Sequence, residues 1–224
     1  MADDHFARRV TRLGALADPI RRALYRFVAE QPGAVSRDQA AEGIDVPRHT
    51  AKFHLDRLVE EGLLVTEFRR LTGRSGPGAG RPAKLYRRSR KEVTVSLPSR
   101  RYDLAGQVLA DAVERSLEGT PMAAALADAA ANAARVVVEA EPGSGLLELL
   151  EQYGYEPRPT DEGFRLGNCP YDRLAADHRG LICPLNRDFV GCVARETGRD
   201  DVRVEAVEPV TGCCVRLTVS SSPA

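Results

Sequence analysis

Val46-Pro-Arg-His-Thr-Ala-Lys-Phe-His-Leu-Asp-Arg-Leu-Val-Glu-Glu-Gly-Leu-Leu64 decides how the first third of this 224-residue chain folds. Pro47 fits the first position of a helix and Gly62 the position just past its end, so Pro47 to Glu61 reads as one helix. Ala51, Leu55, Leu58 and Val59 recur at helical spacing on one face, which leaves Arg48, His49 and Lys52 on the opposite, polar face. Upstream, Asp18 as N-cap and Pro19 behind it open a helix with Ile20, Leu24, Tyr25 and Val28 on one stripe, ended by Gln31-Pro32-Gly33. Ser36-Arg-Asp-Gln39 is a capping box that opens a short helix stopped at Gly43. Two helices joined by a tight Gly-Ile-Asp turn follow the helix-turn-helix plan. Phe6, Val10 and Leu13 mark a further short helix ahead of it.

The residues that follow select the winged variety. Leu63 to Arg70 is strand-like, Thr72 to Ala83 is a loop of Gly, Pro and Ser, and Lys84-Leu85-Tyr86-Arg87 returns as a second strand. Arg74 and Arg81 in this loop suit phosphates or a narrow minor groove. Residues 69 to 91 hold nine Arg or Lys, among them Arg69, Arg70 and Lys84, and no carboxylate, so they are not a balanced salt-bridge lacing. The whole chain has 32 basic and 32 acidic residues and no net charge, but a cut after Arg101 gives halves of +9 and −9. A basic half attracted to phosphate and an acidic half repelled from it point to a nucleic-acid-binding module joined to something else.

Leu13-Gly-Ala-Leu-Ala-Asp-Pro-Ile-Arg-Arg-Ala-Leu-Tyr, the stretch Val46 to Leu64 and Gly80-Arg-Pro-Ala-Lys-Leu-Tyr together resemble the winged helix-turn-helix domain of bacterial regulators of the ArsR-like or DeoR-like groups, over residues 6 to 92. The resemblance implies double-stranded DNA as partner, with Arg48, His49, Lys52 and Phe53 projecting into the major groove and Arg74 and Arg81 as wing contacts. His54 resembles the His before the core Leu in such helices, and its place between apolar positions also suits packing. A reader of this kind is expected to bind a palindromic operator as a homodimer.

Residues 103 to 140 are Ala-rich, with Leu104, Val108, Leu109, Ala112, Val113 and Leu117 at helical spacing, then Met122, Leu126, Ala130, Ala133 and Val137. Gly119-Thr120-Pro121 splits them into two helices whose apolar stripe needs a cover, either the rest of the chain or the same helices of a second subunit. After the hinge Glu141-Pro-Gly-Ser-Gly the pattern is mixed: helices over Leu146 to Tyr153, Tyr171 to His178 and Pro184 to Glu196, strands over Tyr155 to Pro159, Phe164 to Gly167, Val202 to Glu208 and Cys213 to Val219. The fold class expected is α+β in three parts: a winged helix-turn-helix over 1–101, a helical linker and dimerisation segment over 102–141, and a small α+β sensor domain over 142–224.

All five cysteines lie in that last part. An odd number without an export signal argues against a disulfide framework and for a metal, cluster or redox role, or for plain buried thiols. Cys169-Pro170 and Cys183-Pro184 both stand at the expected mouth of a helix, where free N–H groups and the dipole favour thiolates. Cys213 and Cys214, as neighbours on a strand, are expected to face opposite ways and not to ligate one centre together. Cys192 follows the helical face of Phe189 and Val193 and reads as a packing thiol. The spacings are those of neither a zinc finger nor a CxxC pair.

Asn168-Cys-Pro-Tyr, Leu174-Ala, His178, Cys183-Pro-Leu-Asn and Gly212-Cys-Cys-Val-Arg-Leu resemble the C-terminal domain of SufR-like regulators, iron–sulfur sensors that repress cluster-assembly operons. The resemblance implies an iron–sulfur cluster held by Cys169 and Cys183 with Cys214 or Cys213. The fourth ligand stays open, with His178, a carboxylate or an exogenous group as choices, and so does zinc, another metal or no cofactor. The expectation is a cytoplasmic DNA-binding transcription regulator, a repressor and not an enzyme, with no membrane partner. Alternatives are a thiol-redox or small-molecule sensor without a cluster, and a redox or metal enzyme with Cys183 as nucleophile and His178 as base fused to a DNA-binding domain. The latter lacks an orienting group, an oxyanion site and a nucleotide loop.

Overall fold

A computed structural model describes residues 2–70, 82–208 and 212–220. The chain is α+β and divides into two compact units, one ending at Val95 and one running from Ser96.

In the first unit, α1 (Ala2–Gly14) leads through a 3-10 turn at Ala15–Ala17 to α2 (Pro19–Glu30), β1 (Val35–Ser36), α3 (Arg37–Gly43), α4 (Arg48–Glu60), β2 (Leu64–Arg69) and β3 (Ala83–Arg88). The sequence signals act as expected. The Asp18 carboxylate accepts the Arg21 backbone N–H at 2.9 Å, which holds its pKa below the usual range. Ser36 and Gln39 form the reciprocal capping box. Gly62 ends α4 with φ +70, a conformation that favours glycine. Pro47 stands one place earlier than expected, at the N-cap, with Arg48 as the first helical residue. The antiparallel sheet has the order β1-β3-β2, with Leu64 opposite Arg88 and Arg69 opposite Ala83. Its third strand, only Val35–Ser36, was not expected, because two residues carry no periodicity. Leu24, Leu55, Leu58, Leu64 and Tyr86 fill the core. Each buried Leu contributes about 1.5–3 kcal/mol relative to exposure.

The second unit begins with a strap, residues 96–101, followed by α5 (Tyr102–Leu117) and α6 (Met122–Ala140), which pack as an antiparallel pair joined at Gly119-Thr120-Pro121. Then come α7 (Leu146–Gln152), β4 (Pro157–Thr160), β5 (Gly163–Leu166), α8 (Asp172–Asp177), α9 (Arg179–Glu196), β6 (Val202–Ala206) and β7 (Val215–Val219). The strands form an antiparallel sheet of order β4-β5-β7-β6. One core joins Ala125, Ala129 and Ala134 of α6 with Phe189, Val190 and Val193 of α9, the small alanines allowing the long helices to approach closely. On α5, Val113 and Leu117 stay exposed, Leu117 at 83 %.

Two local expectations need correction. The last helix starts at Arg179, not at Pro184, so Pro184 lies inside it and Cys183 sits in its second turn. β7 starts at Val215, so Cys213 and Cys214 precede it and strand alternation does not apply to them.

Candidate functional site

Two sites emerge, one in each unit. In the first, the exposed face of α4 carries Arg48, His49, Lys52 and Phe53. Phe53 is 64 % exposed among these cationic side chains. Arg48 lies 3.6 Å from Asp38 of α3 and is otherwise turned to solvent. His54 points the other way: it is 9 % exposed, with the Phe53 ring edge-on to it at 5.2 Å. It therefore packs α4 onto the domain and does not share the exposed face. Arg69, Arg70 and Lys84 are exposed on or beside the hairpin strands. Arg74 and Arg81 lie outside the described residues. Phe68, 66 % exposed on β2 beside Arg69, joins this surface without having been singled out, since a strand-forming aromatic carries no sign of its exposure.

Asp56 is the other unexpected member. Its Oδ1 accepts from Lys84 Nζ at 2.7 Å and from the Tyr86 hydroxyl at 2.9 Å, and its Oδ2 accepts from Lys52 Nζ at 3.1 Å. Burial pushes this carboxyl up, but the hydrogen bonds from Lys84, Lys52 and Tyr86 outweigh it and hold the pKa below the usual carboxylate range. Burial and the same carboxylate push the Tyr86 hydroxyl far up. Lys84 also rests over the Tyr86 ring, 5.2 Å from its centroid.

In the second unit, Cys169 from the turn before α8, Cys183 from α9 and Cys213 and Cys214 from the turn before β7 converge in one buried patch. Gly212 makes this possible: at φ +87 it lies so close to β5 that a Cβ there would stand 2.7 Å from the Leu166 carbonyl oxygen. The Cys213 N–H then donates to that same carbonyl at 3.0 Å. The thiols are hydrogen-bonded in series, Cys169 to Cys213 to Cys214 to Cys183, and their acidities alternate. The hydrogen bond from Cys213, helped by the Tyr171 N–H, lowers the Cys169 pKa. Hydrogen bonds from Cys213 and Cys183, with Arg179 nearby, bring Cys214 down to about 6. Cys213, bonded to two thiolates, is held well above the usual thiol range, and burial with the Cys214 contact pushes Cys183 up to about 12. The helix-mouth argument for Cys183 thus fails, because its thiol is inside α9 and retains its proton. Cys192 is buried apart from this group, with Arg195 Nη2 donating to its sulfur at 3.0 Å, as suits a packing thiol.

Hydrogen bonds that the spacing could not reveal hold the patch. Asn186, fully buried on α9, donates from Nδ2 to Cys213 Sγ at 3.2 Å and accepts the Tyr155 hydroxyl at 2.6 Å. Asn168, 7 % exposed, donates to the carbonyls of Ser99 at 2.9 Å and Gly154 at 2.6 Å. Arg100 donates to Asn168 Oδ1 and, at 3.2 Å, to the Cys169 carbonyl, while the Arg101 N–H donates to the Pro170 carbonyl at 3.0 Å. The end of the strap, Ser99 to Arg101, is therefore bonded to the turn that carries Cys169. His178 is exposed at the junction of α8 and α9.

The four thiols suit a soft metal or an iron–sulfur cluster in kind. Among the described residues, no group of three or more His, Cys, Asp or Glu side chains is disposed to hold a metal ion. No helix among them is long and apolar enough to cross a membrane.

No curated protein and no solved structure matches the chain. A family model described as a helix-turn-helix domain matches residues 16–67, from the 3-10 turn through α2, α3 and α4 into β2. The match ends ahead of the first cysteine. With α4 presenting exposed cationic and aromatic side chains and a β-hairpin following it, residues 16–67 are the helix-turn-helix part of a winged DNA-binding domain, and the protein is a DNA-binding transcription regulator.

Proposed function

We propose that the protein is a cytoplasmic repressor that binds a double-stranded operator as a homodimer and adjusts its affinity through the cysteine patch, by way of an iron–sulfur cluster. The observation that carries this reading is the convergence of four buried thiols from three separate segments, two of them acidified by their neighbours. Cys169, Cys183, Cys213 and Cys214 would hold the cluster, which when bound supplies a redox- and iron-responsive centre. Asn186 orients the Cys213 sulfur through its amide, and Tyr155 fixes that amide.

Arg48, His49 and Phe53 of α4 would read the major groove, with Arg69, Arg70, Arg74 and Arg81 on phosphates around the hairpin. Output from the cysteine patch would pass along the strap: a change at Cys169 alters the bonds to Ser99, Arg100 and Arg101, and this segment continues directly into the chain of the DNA-binding unit. The dimer would use the exposed stripe of Val113 and Leu117 on α5 with Met122 at the start of α6.

One specific observation favours a second reading. Each acidified thiol, as its thiolate, has a protonated thiol against it, an arrangement ready for disulfide formation with loss of one proton and two electrons to an oxidant such as peroxide. Anaerobic purification with iron and sulfide analysis separates the two. Visible absorption with bound iron and sulfide, lost in Cys169→Ser and Cys214→Ser, supports the cluster; a colourless chain whose DNA affinity follows thiol oxidation supports the switch.

A further inference from the structure

The surface that meets DNA should be attractive to phosphate, yet a carboxylate stands in it. Asp56 lies in the middle of α4, one turn beyond Lys52, and is only partly buried, at 28 % side-chain exposure. A carboxylate there costs affinity for any duplex, so its presence needs a gain of another kind. Its partners identify that gain. Lys52 belongs to α4 itself, while Lys84 and Tyr86 belong to β3, the strand that returns from the wing loop. Tyr86 is 2 % exposed, so its hydroxyl is held by the core and offers Asp56 a fixed donor. One carboxylate thus ties the recognition helix to the wing and holds two lysines at set places between them.

We infer that Asp56 is a specificity-determining positioning residue: through Tyr86 and Lys84 it fixes the placement of the hairpin relative to α4, so that base contacts from the helix and phosphate contacts from the wing occur in one register. Phosphate contacts carry no sequence information by themselves, but they set the orientation from which base edges are read. With the link intact, the side chains of α4 meet only one alignment of base pairs. Without it, the lysines are released to phosphates and the helix and wing engage DNA independently. The inference rests on the reading of α4 as the recognition helix and not on what the cysteines bind.

The test uses the full chain, a duplex selected by it from a random library, and a scrambled duplex of equal length. Asp56→Asn removes the charge and keeps the side-chain shape; Tyr86→Phe removes the fixed donor without changing any charge. In Asp56→Asn, affinity for the scrambled duplex rises and the log–log salt slope steepens by up to about 1.8, as two lysines become free to neutralise phosphates. Its ratio of selected to scrambled affinity falls about tenfold. In Tyr86→Phe that ratio falls about threefold with the slope unchanged, which a lost surface charge pair cannot produce. If Asp56→Asn does not fold, Tyr86→Phe decides alone. A ratio kept within twofold of wild type in either folded variant overturns the inference. A wild-type chain that selects no duplex from the library contradicts the reading of α4 instead.

Discussion

Asn168→Ala removes, in one step, the main connection between the strap and the turn that carries Cys169. Two neutral hydrogen bonds are lost, to the Ser99 carbonyl at 2.9 Å and the Gly154 carbonyl at 2.6 Å, each worth about 0.5–1.5 kcal/mol. The bond from the Arg100 guanidinium is charge-assisted and worth about 1.5–3 kcal/mol. Arg100 keeps the Cys169 carbonyl and a 3.4 Å contact to Asp172, so part of its interaction survives and the lower end applies. The expected loss is about 3 kcal/mol. With a urea slope of about 2 kcal/mol per molar, the unfolding midpoint of the second unit drops by about 1.5 M, read from the near-ultraviolet circular dichroism of its tyrosines. Gly154 adds a geometric check. Its φ is +87 and a Cβ there would stand 2.6 Å from Ser99 Oγ, so Gly154→Ala strains the same junction from the other side. In hydrogen exchange, the Arg101 amide, which donates to Pro170, exchanges about a hundredfold faster in Asn168→Ala, the factor that 3 kcal/mol supplies. A midpoint shift under about 0.5 M with unchanged exchange at Arg101 would show that the strap is not held by this turn.

Titration of thiolate ultraviolet absorbance shows a rise as pH increases through about 6, the ionisation of Cys214; Cys214→Ser abolishes it, and a first rise only above pH 8 refutes the hydrogen-bonded series. Replacing Arg74 and Arg81 by Ala flattens the salt dependence of DNA binding by about 1.8 in log–log slope, and an unchanged slope removes these two arginines from the interface. Leu117→Lys, placed where the side chain is 83 % exposed, leaves folding intact and halves the mass measured by light scattering; a wild-type chain already monomeric at micromolar concentration excludes the α5 stripe as a dimer surface. Leu55→Ala, at a fully buried position of α4, destabilises the first unit by about 2–5 kcal/mol in thermal melts, and a loss under 1 kcal/mol contradicts the packing of α4 on α2.

The helix-turn-helix was legible because its signals are local. A carboxylate N-cap, a capping box and a glycine C′ position act within four residues of where they stand, and Asp18, Ser36 and Gly62 all act as their types dictate. The hairpin was legible from two strand patterns around a Gly-rich loop, whereas the pairing of Val35–Ser36 with β3 was not, because a two-residue strand exists only through its partner. Pro184 misled for a physical reason: proline is common at a helix start, but here Arg179 begins the helix and Pro184 lies in its second turn, a position unfavourable to proline because it has no N–H for the i−4 carbonyl. This removed the dipole argument for Cys183. Adjacent Cys213 and Cys214 misled in the opposite direction, since alternation holds only inside a strand and theirs begins one residue later. The residues that organise both sites, Asp56, Asn168 and Asn186, gave no signal of that role, although both asparagines stand in the stretches that carry the resemblance of the second unit. Their partners Lys84, Ser99 and Cys213 lie 27 to 69 residues away in sequence, and a polar side chain in a helix or turn looks solvated until its distant partner is known.

The central claim is that the cysteine patch sets DNA affinity. Its most direct test is the affinity of the anaerobically iron- and sulfide-loaded chain for its selected duplex, set against the unloaded chain and against Cys169→Ser and Cys214→Ser. The account predicts at least a tenfold difference between loaded and unloaded wild type, absent in both variants although they still bind the duplex. Equal affinities in all four samples would contradict it and leave a winged DNA-binding domain whose cysteines serve only to pack the second unit.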